Sequence, residues 1–260
     1  MIAEKRRQLI SQRILEQGSV ATEELAADFA VSYMTIWRDL TALENTGSLR
    51  RVRGGAVRVE NEAAPEPFFT EKRVLHSAEK EAIARYAAQT FVSDNDILIL
   101  EAGTTVSAMV KYLDRRNLTL ITNGLATLAE AALSVPDLTV IGCGGILRDV
   151  SYTFVGPQAE QFFQTVRAGT LFLSATGLAF PEGITDPSPL EIQVKQRMAA
   201  SADRVVLLLD SSKFGVHSLS PILPLQRISV LVTDRGAPES YLDQLRDQGI
   251  KIHLAEISPS

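Results

Sequence analysis

Val31-Ser32-Tyr33-Met34-Thr35-Ile36-Trp37-Arg38-Asp39-Leu40-Thr41-Ala42-Leu43-Glu44-Asn45-Thr46-Gly47 reads as one capped helix, and the reading of the whole chain turns on it. The Ser32 hydroxyl can accept a bond from an orphan N–H of the first turn. Gly47 sits where a left-handed residue ends a helix. Ile36, Leu40 and Leu43 recur at i, i+4 and i+7 and make a single apolar seam. Thr35, Arg38 and Thr41 fall away from that seam, with Tyr33 and Trp37 at its border. A short helix with one buried seam and a polar, cationic outer face fits a DNA major groove. An isolated helix of this composition is equally an ordinary surface helix, so the neighbours decide.

Upstream, residues 5–17 read as a first helix with Leu9, Ile10 and Ile14 as its stripe, stopped at Gly18. Thr22 caps a second helix running to about Ala30, with Glu23 and Glu24 near the positive end of its dipole. The short gap from Ala30 to Tyr33 is helix-turn-helix spacing. Downstream, Leu49-Arg50-Arg51-Val52 and Ala56-Val57-Arg58-Val59 flank Arg53-Gly54-Gly55 and read as a β-hairpin. Three helices followed by an Arg-bearing hairpin make a winged helix. The arginines suit phosphates, which set register and affinity rather than sequence; crowded together they repel unless an anion is near. Thr22, Ser32, Tyr33, Thr35, Trp37, Arg38, Arg50, Arg51 and Arg53 are the candidate DNA contacts.

Charge is distributed accordingly. Net charge is −5, which alone argues against nucleic acid. Residues 1–59, however, carry nine Lys/Arg against seven Asp/Glu (+2), and the remainder seventeen against twenty-four (−7). An acidic body with a mildly basic N-terminal module fits a DNA reader attached to something else. With 260 residues, 45% of them hydrophobic, the chain has material for about two domains. No apolar run is long enough for a membrane helix and no signal peptide is visible, so a cytoplasmic location away from membranes is expected. The single Cys143 excludes an internal disulfide. His76, His217 and His253 lack ligand spacing, so neither a metal nor a cofactor is expected.

The expected boundaries are a winged helix-turn-helix domain at 1–59, a linker at 60–76 and an effector domain at 77–258. The linker carries the acidic Pro/Ala tract Glu60 to Pro67, with Phe68 and Phe69 anchoring its far end. Ser77 caps a helix to about Phe91. From residue 96, apolar runs at 96–100, 119–122, 139–142, 171–174, 205–210, 229–233 and 250–252 alternate with helix-length segments. That alternation means a Rossmann-like, mostly parallel α/β sheet covered on both faces.

Ligands of such sheets bind beyond the carboxyl ends of the strands. Glu101-Ala102-Gly103-Thr104-Thr105 follows the first strand; Gly103 allows close approach, and the helix start with two Thr hydroxyls makes an anion cradle. Asn123-Gly124 ends the second strand. Gly142-Cys143-Gly144-Gly145, followed by Arg148, ends the third, with Cys143 a small buried residue. Asp210-Ser211-Ser212-Lys213-Phe214-Gly215 puts a carboxylate and an ammonium past another. Glu191 and Lys195 read as an i, i+4 surface pair worth about 0.3–0.5 kcal/mol.

The pattern Val31-Ser32-x-x-Thr35-Ile36-x-Arg38-Asp39-Leu40-x-x-Leu43-Glu44-x-x-Gly47-x-Leu49-x-Arg51-x-x-Gly54-Gly55-Ala56 resembles the DeoR family of bacterial transcriptional regulators, although that family usually has Arg at the place of Trp37. The second half resembles the family's effector domain through Gly103-Thr104-Thr105, Thr122-Asn123, Gly144-Gly145, Gly183-x-Thr185, Glu191-x-x-x-Lys195 and Asp210 to Gly215. It departs at Glu101, commonly Asp, and at Ser174, commonly Gly. The resemblance implies a fold like ribose-5-phosphate isomerase and an effector that is a phosphorylated sugar or related metabolite. Thr104 and Thr105 would hold its phosphate, and Glu101, Asn123, Lys195, Asp210 and Lys213 would surround the rest. The function implied is a repressor of a carbohydrate-utilisation operon, acting as a homodimer or homotetramer on a double-stranded operator and released by that effector. An activator would use the same parts. The alternative is a sugar-phosphate isomerase-type enzyme with an accessory DNA-binding domain. Against it, Ser174-Ala175-Thr176-Gly177 carries no carboxylate where a general base is expected.

Overall fold

The computed structural model describes residues 3–45, 49–52, 54–57, 66–134 and 137–257. The expectations for Gly47, Arg53, Arg58, Val59 and the tract 60–65 lie outside these, as does the Arg50 side chain. The chain divides into two compact units, Met1–Glu66 and Pro67–Ser260.

Unit 1 runs α1 (Ala3–Gln17), β1 (Ser19–Ala21), α2 (Thr22–Asp28), α3 (Tyr33–Asn45), β2 (Arg50–Val52) and β3 (Gly55–Val57). Its core joins Ile10 and Ile14 of α1, Leu25 of α2, the α3 seam Ile36, Leu40 and Leu43, and Val20, Leu49 and Ala56. Ser32 caps α3 by accepting the Thr35 N–H at 3.2 Å. Gly18 ends α1 at φ +77°, its N–H bonded to Ile14 O at 2.9 Å. The hairpin pairs Val52 with Gly55 and Arg50 with Val57.

Strand β1 is an addition to the sequence reading. It pairs antiparallel with β3, giving a three-stranded sheet in the order β1-β3-β2. That sheet explains Gly55, where a Cβ would lie 2.1 Å from Val20 O. It also corrects the role of Thr22. The N-cap of α2 is Ala21, and Thr22 is the first helical residue. Its N–H bonds Gly54 O at 2.8 Å and its side chain is only 2% exposed. Because β1 feeds directly into α2, Thr22 is turned into the unit and away from any duplex.

Unit 2 begins with α4 (Phe69–Val74) and α5 (Ser77–Phe91). Then follow β4 (Ile97–Leu100), α6 (Thr104–Ser107) continuing as a 3-10 turn over Ala108–Tyr112, β5 (Thr119–Thr122), α7 (Leu125–Ser134) and β6 (Thr139–Gly142). A hairpin comes next, β7 (Ile146–Arg148) and β8 (Thr153–Val155), then α8 (Pro157–Gln164) and β9 (Ala168–Leu173). The rest is β10 (Gly177–Ala179), β11 (Gly183–Asp186), α9 (Pro189–Ala200), β12 (Ala202–Leu208), β13 (Ser220–Pro221), β14 (Val230–Asp234), α10 (Glu239–Asp247) and β15 (Lys251–Ala255).

Seven strands form one all-parallel sheet in the order β15-β14-β12-β9-β4-β5-β6. Alternate residues serve opposite faces. Leu98, Leu100, Phe172, Val206 and Leu208 pack with α5. Ile99, Leu171, Leu173, Val205 and Leu207 pack with α8, α9 and α10. The hairpin β7–β8 and the small antiparallel sheet β10-β11-β13 stand outside it. Six residues of the stretch read as linker, Phe69–Val74, are helical. Phe69 is buried with its ring 5.6 Å from Tyr152, whereas Phe68 is exposed. His76, in a left-handed conformation, is the N-cap of α5, so Ser77 is its first helical residue. Among the described residues no helix is long and apolar enough to cross a membrane.

Strand order places the ligand end of unit 2. From β4 the chain steps outward to β5 and β6, then returns to lay β9 on the other side of β4 and steps outward to β12, β14 and β15. The two directions part between β4 and β9, and crevices of open parallel sheets lie at that switch point beyond the carboxyl ends.

Candidate nucleic-acid interface and ligand pocket

With its apolar seam buried, α3 leaves Tyr33, Met34, Trp37 and Arg38 exposed. These are spaced i, i+1, i+4 and i+5, one face of a helix. Thr35 Oγ1 is spent locally, 2.9 Å from Ser32 Oγ. The orientation of α3 is held from behind by Asp39, buried and paired with Arg6 at 2.6 Å and Arg7 at 3.3 Å. Two of the basic residues that give the N-terminal end its charge therefore tie α1 to α3.

Arg51 requires a correction. Its Nε donates to Glu44 Oε2 at 2.6 Å, its backbone N–H donates to Glu44 Oε1 at 3.0 Å, and its guanidinium carbon lies 4.8 Å from the Trp37 ring centre. The hydrogen bonds from Arg51 hold the Glu44 carboxyl below the usual carboxylate range. For Arg51 the anion is Glu44, supplied by α3 itself, so Arg51 is not a free phosphate clamp.

In unit 2 the residues after β4 and β9 meet at the switch point. Glu101, 2% exposed, accepts from Ser174 Oγ at 2.8 Å and Ser174 N at 3.3 Å. Its other oxygen lies 3.2 Å from Lys195 Nζ. That ammonium, 3% exposed, also reaches Asp186 at 2.6 Å and Ser174 O at 3.0 Å, so all three donors are engaged. Burial works against the charged Lys195, but the Asp186, Glu101 and Glu191 carboxylates outweigh it and raise its pKa. Gly103 is obligatory here, since a Cβ would stand 1.8 Å from Ser174 Oγ and 2.8 Å from Glu101 Oε2. On the β5 side, Asn123 accepts the Ala102 N–H at 3.1 Å. Its buried Nδ2 has no hydrogen-bond partner among the described residues, and neither has Thr127 Oγ1.

Gly103 precedes α6, whose first residue Thr104 lines a pocket of about 290 Å³ with Phe69, Ser77, Lys80 and Ser107. Thr105 beside it is buried. Glu101, Asn123 and Lys195 are not among that pocket's walls. Asp210 is buried after β12: one oxygen accepts from Ser212, the other has no partner among the described residues. Lys213 follows in a 3-10 turn.

The anticipated surface pair is not one. Glu191 and Lys195 are both buried on α9 and serve different partners. Glu191 accepts from Ser151 Oγ at 2.6 Å and pairs with Arg148, so Arg148 is turned toward α9. The face of α9 that carries both residues packs under the carboxyl edge of the sheet, where tertiary partners outbid an i, i+4 contact. Gly144 and Gly145 adopt φ +67° and +113°, and a Cβ on Gly145 would lie 2.6 Å from Val155 O, so this pair shapes the hairpin. Burial pushes the Cys143 thiol up to about 12, which makes it an inert core residue.

Sequence reasoning missed two groups. Asp186 ends β11, a strand too short to show a period, and reaches the Ser174 loop from outside it by accepting the Thr176 N–H at 2.8 Å. Lys80 lies on the buried side of α5. Its amine donates to Lys72 O, and burial lowers its pKa to about 8, with Asp210 opposing and Lys213 adding to the shift. The spacing Ala84, Ala87, Ala88 marks that face as inward, which is the signal that could have found it.

A winged helix with a solvent-facing third helix, carried in one chain with a parallel sheet whose switch point is lined with buried charge, defines a ligand-sensing DNA-binding regulator. Residues 6–62 match the model of the DeoR-like helix-turn-helix domain and residues 75–235 that of the DeoR C terminal sensor domain. The chain belongs to the DeoR family: it is a DNA-binding transcriptional regulator and not an enzyme. It is 35% identical to the HTH-type transcriptional regulator GolR of Listeria innocua, covering 94% of this chain and 95% of that one. It is 32% identical to the regulator IolR of Bacillus subtilis, covering 95% and 98%. It is also 32% identical to the lactose phosphotransferase system repressor of Staphylococcus epidermidis, covering 87% and 90%. Among solved structures it overlaps ribose 5-phosphate isomerase from Plasmodium falciparum at a TM-score of 0.39, with 15% identity over 55% of each chain. Translation initiation factor eIF-2B of Pyrococcus horikoshii overlaps at 0.43, with 13% identity, covering 86% and 81%.

Proposed function

We propose that the protein is a repressor of carbohydrate-utilisation genes, released from its operator by a phosphorylated sugar or related metabolite. The observation that carries this is the switch-point cluster: buried Glu101, Asn123, Lys195 and Asp186 beside a glycine-started turn with two threonine hydroxyls. In this reading Thr104, Thr105 and the adjoining N–H groups hold the phosphate, with Lys80 and Lys213 supplying positive charge nearby. Glu101, Asn123 and Asp210 accept from or donate to the hydroxyl-bearing part. Asp186, the carboxylate that reaches the Ser174 loop from outside, is engaged by Lys195 and the Thr176 N–H, which disfavours it as the general base of the isomerase alternative. The names of the lactose phosphotransferase system repressor and of GolR and IolR as regulators agree with the proposal.

On DNA, Tyr33, Trp37 and Arg38 enter the major groove, and a homodimer sets two such helices about 34 Å apart. An effector that prefers the released arrangement with a coupling of about 1–3 kcal/mol changes operator affinity by roughly 5–150-fold. The test is a gel-shift titration on duplexes recovered by the protein from a random-sequence library, with and without a panel of pentose and hexose phosphates. Release by at least one of them, with Arg38→Ala weakening DNA binding while the thermal shift from that compound persists, is the expected result. Indifference of DNA binding to every compound, or undiminished binding by Arg38→Ala, contradicts the proposal.

A further inference from the structure

Trp37 is the sole tryptophan of the chain and sits on the exposed face of α3, 43% accessible between Met34 and Arg38. Glu44 lies two turns further along the same helix, at i+7 from Trp37. Arg51 of β2 bridges the two: its guanidinium covers the indole and its Nε and backbone N–H both go to Glu44. Arg51 is thus fixed at three points, and its charge is matched by a carboxylate at 2.6 Å. Among the described residues nothing hydrogen-bonds Trp37 Nε1–H, while the backbone of Trp37 is pinned by the Thr41 hydroxyl, which donates to Trp37 O at 2.8 Å.

We propose that Trp37 is a base-reading residue of the DNA interface and that Arg51 is its positioning residue, not a phosphate contact. The inference rests on the DNA-reading role of α3. An indole laid against a guanidinium has one rotamer instead of several, so it meets the groove without a further ordering cost. Its apolar rim suits a thymine methyl and its single N–H suits one acceptor on a base edge, a combination that discriminates among base pairs. An ion-paired Arg51 adds nothing to phosphate neutralisation, so it is silent in the salt dependence of binding.

The wild-type chain is first used to recover preferred duplexes from a random-sequence library. Affinities for these and for unrelated duplexes are then measured across salt for wild type, Trp37→Ala, Arg51→Ala, Arg51→Lys, Glu44→Gln and the double variant Arg51→Ala/Glu44→Gln. Trp37→Ala and Arg51→Ala are expected to lose on the order of tenfold preference at the same base positions. The double variant Arg51→Ala/Glu44→Gln, which removes both charges of the pair together, should leave the slope of log K against log salt unchanged. Arg51→Lys should not rescue, because an ammonium cannot lie flat on the indole while holding a carboxylate with a fixed fork. Glu44→Gln keeps the cation but frees it, so its salt slope steepens by up to about 0.9. Trp37 emission reports the geometry directly and shifts in Arg51→Ala but not in a surface control. Uniform weakening of every duplex by Arg51→Ala/Glu44→Gln, with the slope falling by about 1, makes Arg51 a phosphate contact and overturns the proposal. Unchanged base preference in Trp37→Ala overturns it too. If wild type recovers no duplex at all, the DNA-reading role itself fails, an outcome separate from both.

Discussion

Replacing Lys195 by Met removes the one ammonium that serves Glu101, Asp186 and the Ser174 carbonyl together. The volume is nearly conserved, so no cavity is expected; what remains is two buried carboxylates facing an apolar end. Breaking a buried ion pair by removing one partner costs about 3–5 kcal/mol. One cation holding two carboxylates puts the expected loss near 4 kcal/mol. With a urea m-value of about 2.5 kcal/mol/M, the midpoint of unit 2 falls by about 1.5 M. Trp37 lies in unit 1 and does not report this transition, so the assay is far-UV circular dichroism, which the larger unit dominates. The triple variant Lys195→Met/Glu101→Gln/Asp186→Asn, which removes the charges along with the cation, should recover to within about 1.5 kcal/mol of wild type. A midpoint shift below about 0.3 M for Lys195→Met alone would refute the reasoning, since it would mean the cluster is open to water and screened.

Asp39→Asn leaves the Arg6 guanidinium buried without its carboxylate and should destabilise unit 1 by about 3 kcal/mol, read from the loss of native Trp37 fluorescence in urea. Gly103→Ala drives a methyl against Ser174 Oγ and Glu101 Oε2 and should cost about 1–3 kcal/mol; adding Ser174→Gly, which removes the nearest atom, should recover part of it in thermal melts. Lys80 is held below its ordinary 10.5, at about 8, so between those values the unfolded chain binds the extra proton. Stability therefore rises as pH increases through that window. Urea midpoints from pH 7.5 to 10 should show the rise in wild type and a flatter profile in Lys80→Met.

The elements that could be read from the sequence are those with a strong local signal. Ile97 to Leu100 and Thr119 to Thr122 are short, largely apolar runs alternating with helix-length segments, a pattern that fits parallel strands, and both appear as such. The α3 seam, its Ser32 cap and the hairpin around Gly54 carry their own chemistry and also appear. Three-residue strands do not: Ser19–Ala21 has no room for a period, and Gly177–Ala179 is set by its partner Gly183–Asp186. Charged partners across long separations are invisible for the same reason. Glu101 meets Ser174 only because β4 and β9 are neighbours, Lys195 joins them from α9, and Asp186 enters from a sheet whose existence the pattern does not announce. Glu191 and Lys195 have surface-pair spacing, yet one face of α9 packs under the sheet edge and burial overrides it. Arg51 has the look of a phosphate ligand until the chain folds back and delivers Glu44 to it.

The two buried charges of α9 stand one turn apart on a rod. Lys195 is anchored among the groups of the switch point, and Glu191 grips Ser151 and, through Arg148, the hairpin β7–β8. The tip of that hairpin accepts the Phe69 N–H at Val150 O, 2.7 Å away, and sets the Tyr152 ring against that of Phe69 at a tilt of 39°. Phe69 is the third residue of unit 2, so the chain leaves for the other unit almost at once. A helix is stiff along its axis, so the two anchor points keep a fixed separation. α9 thereby ties the charged cluster to the first residues of unit 2 through two buried side chains.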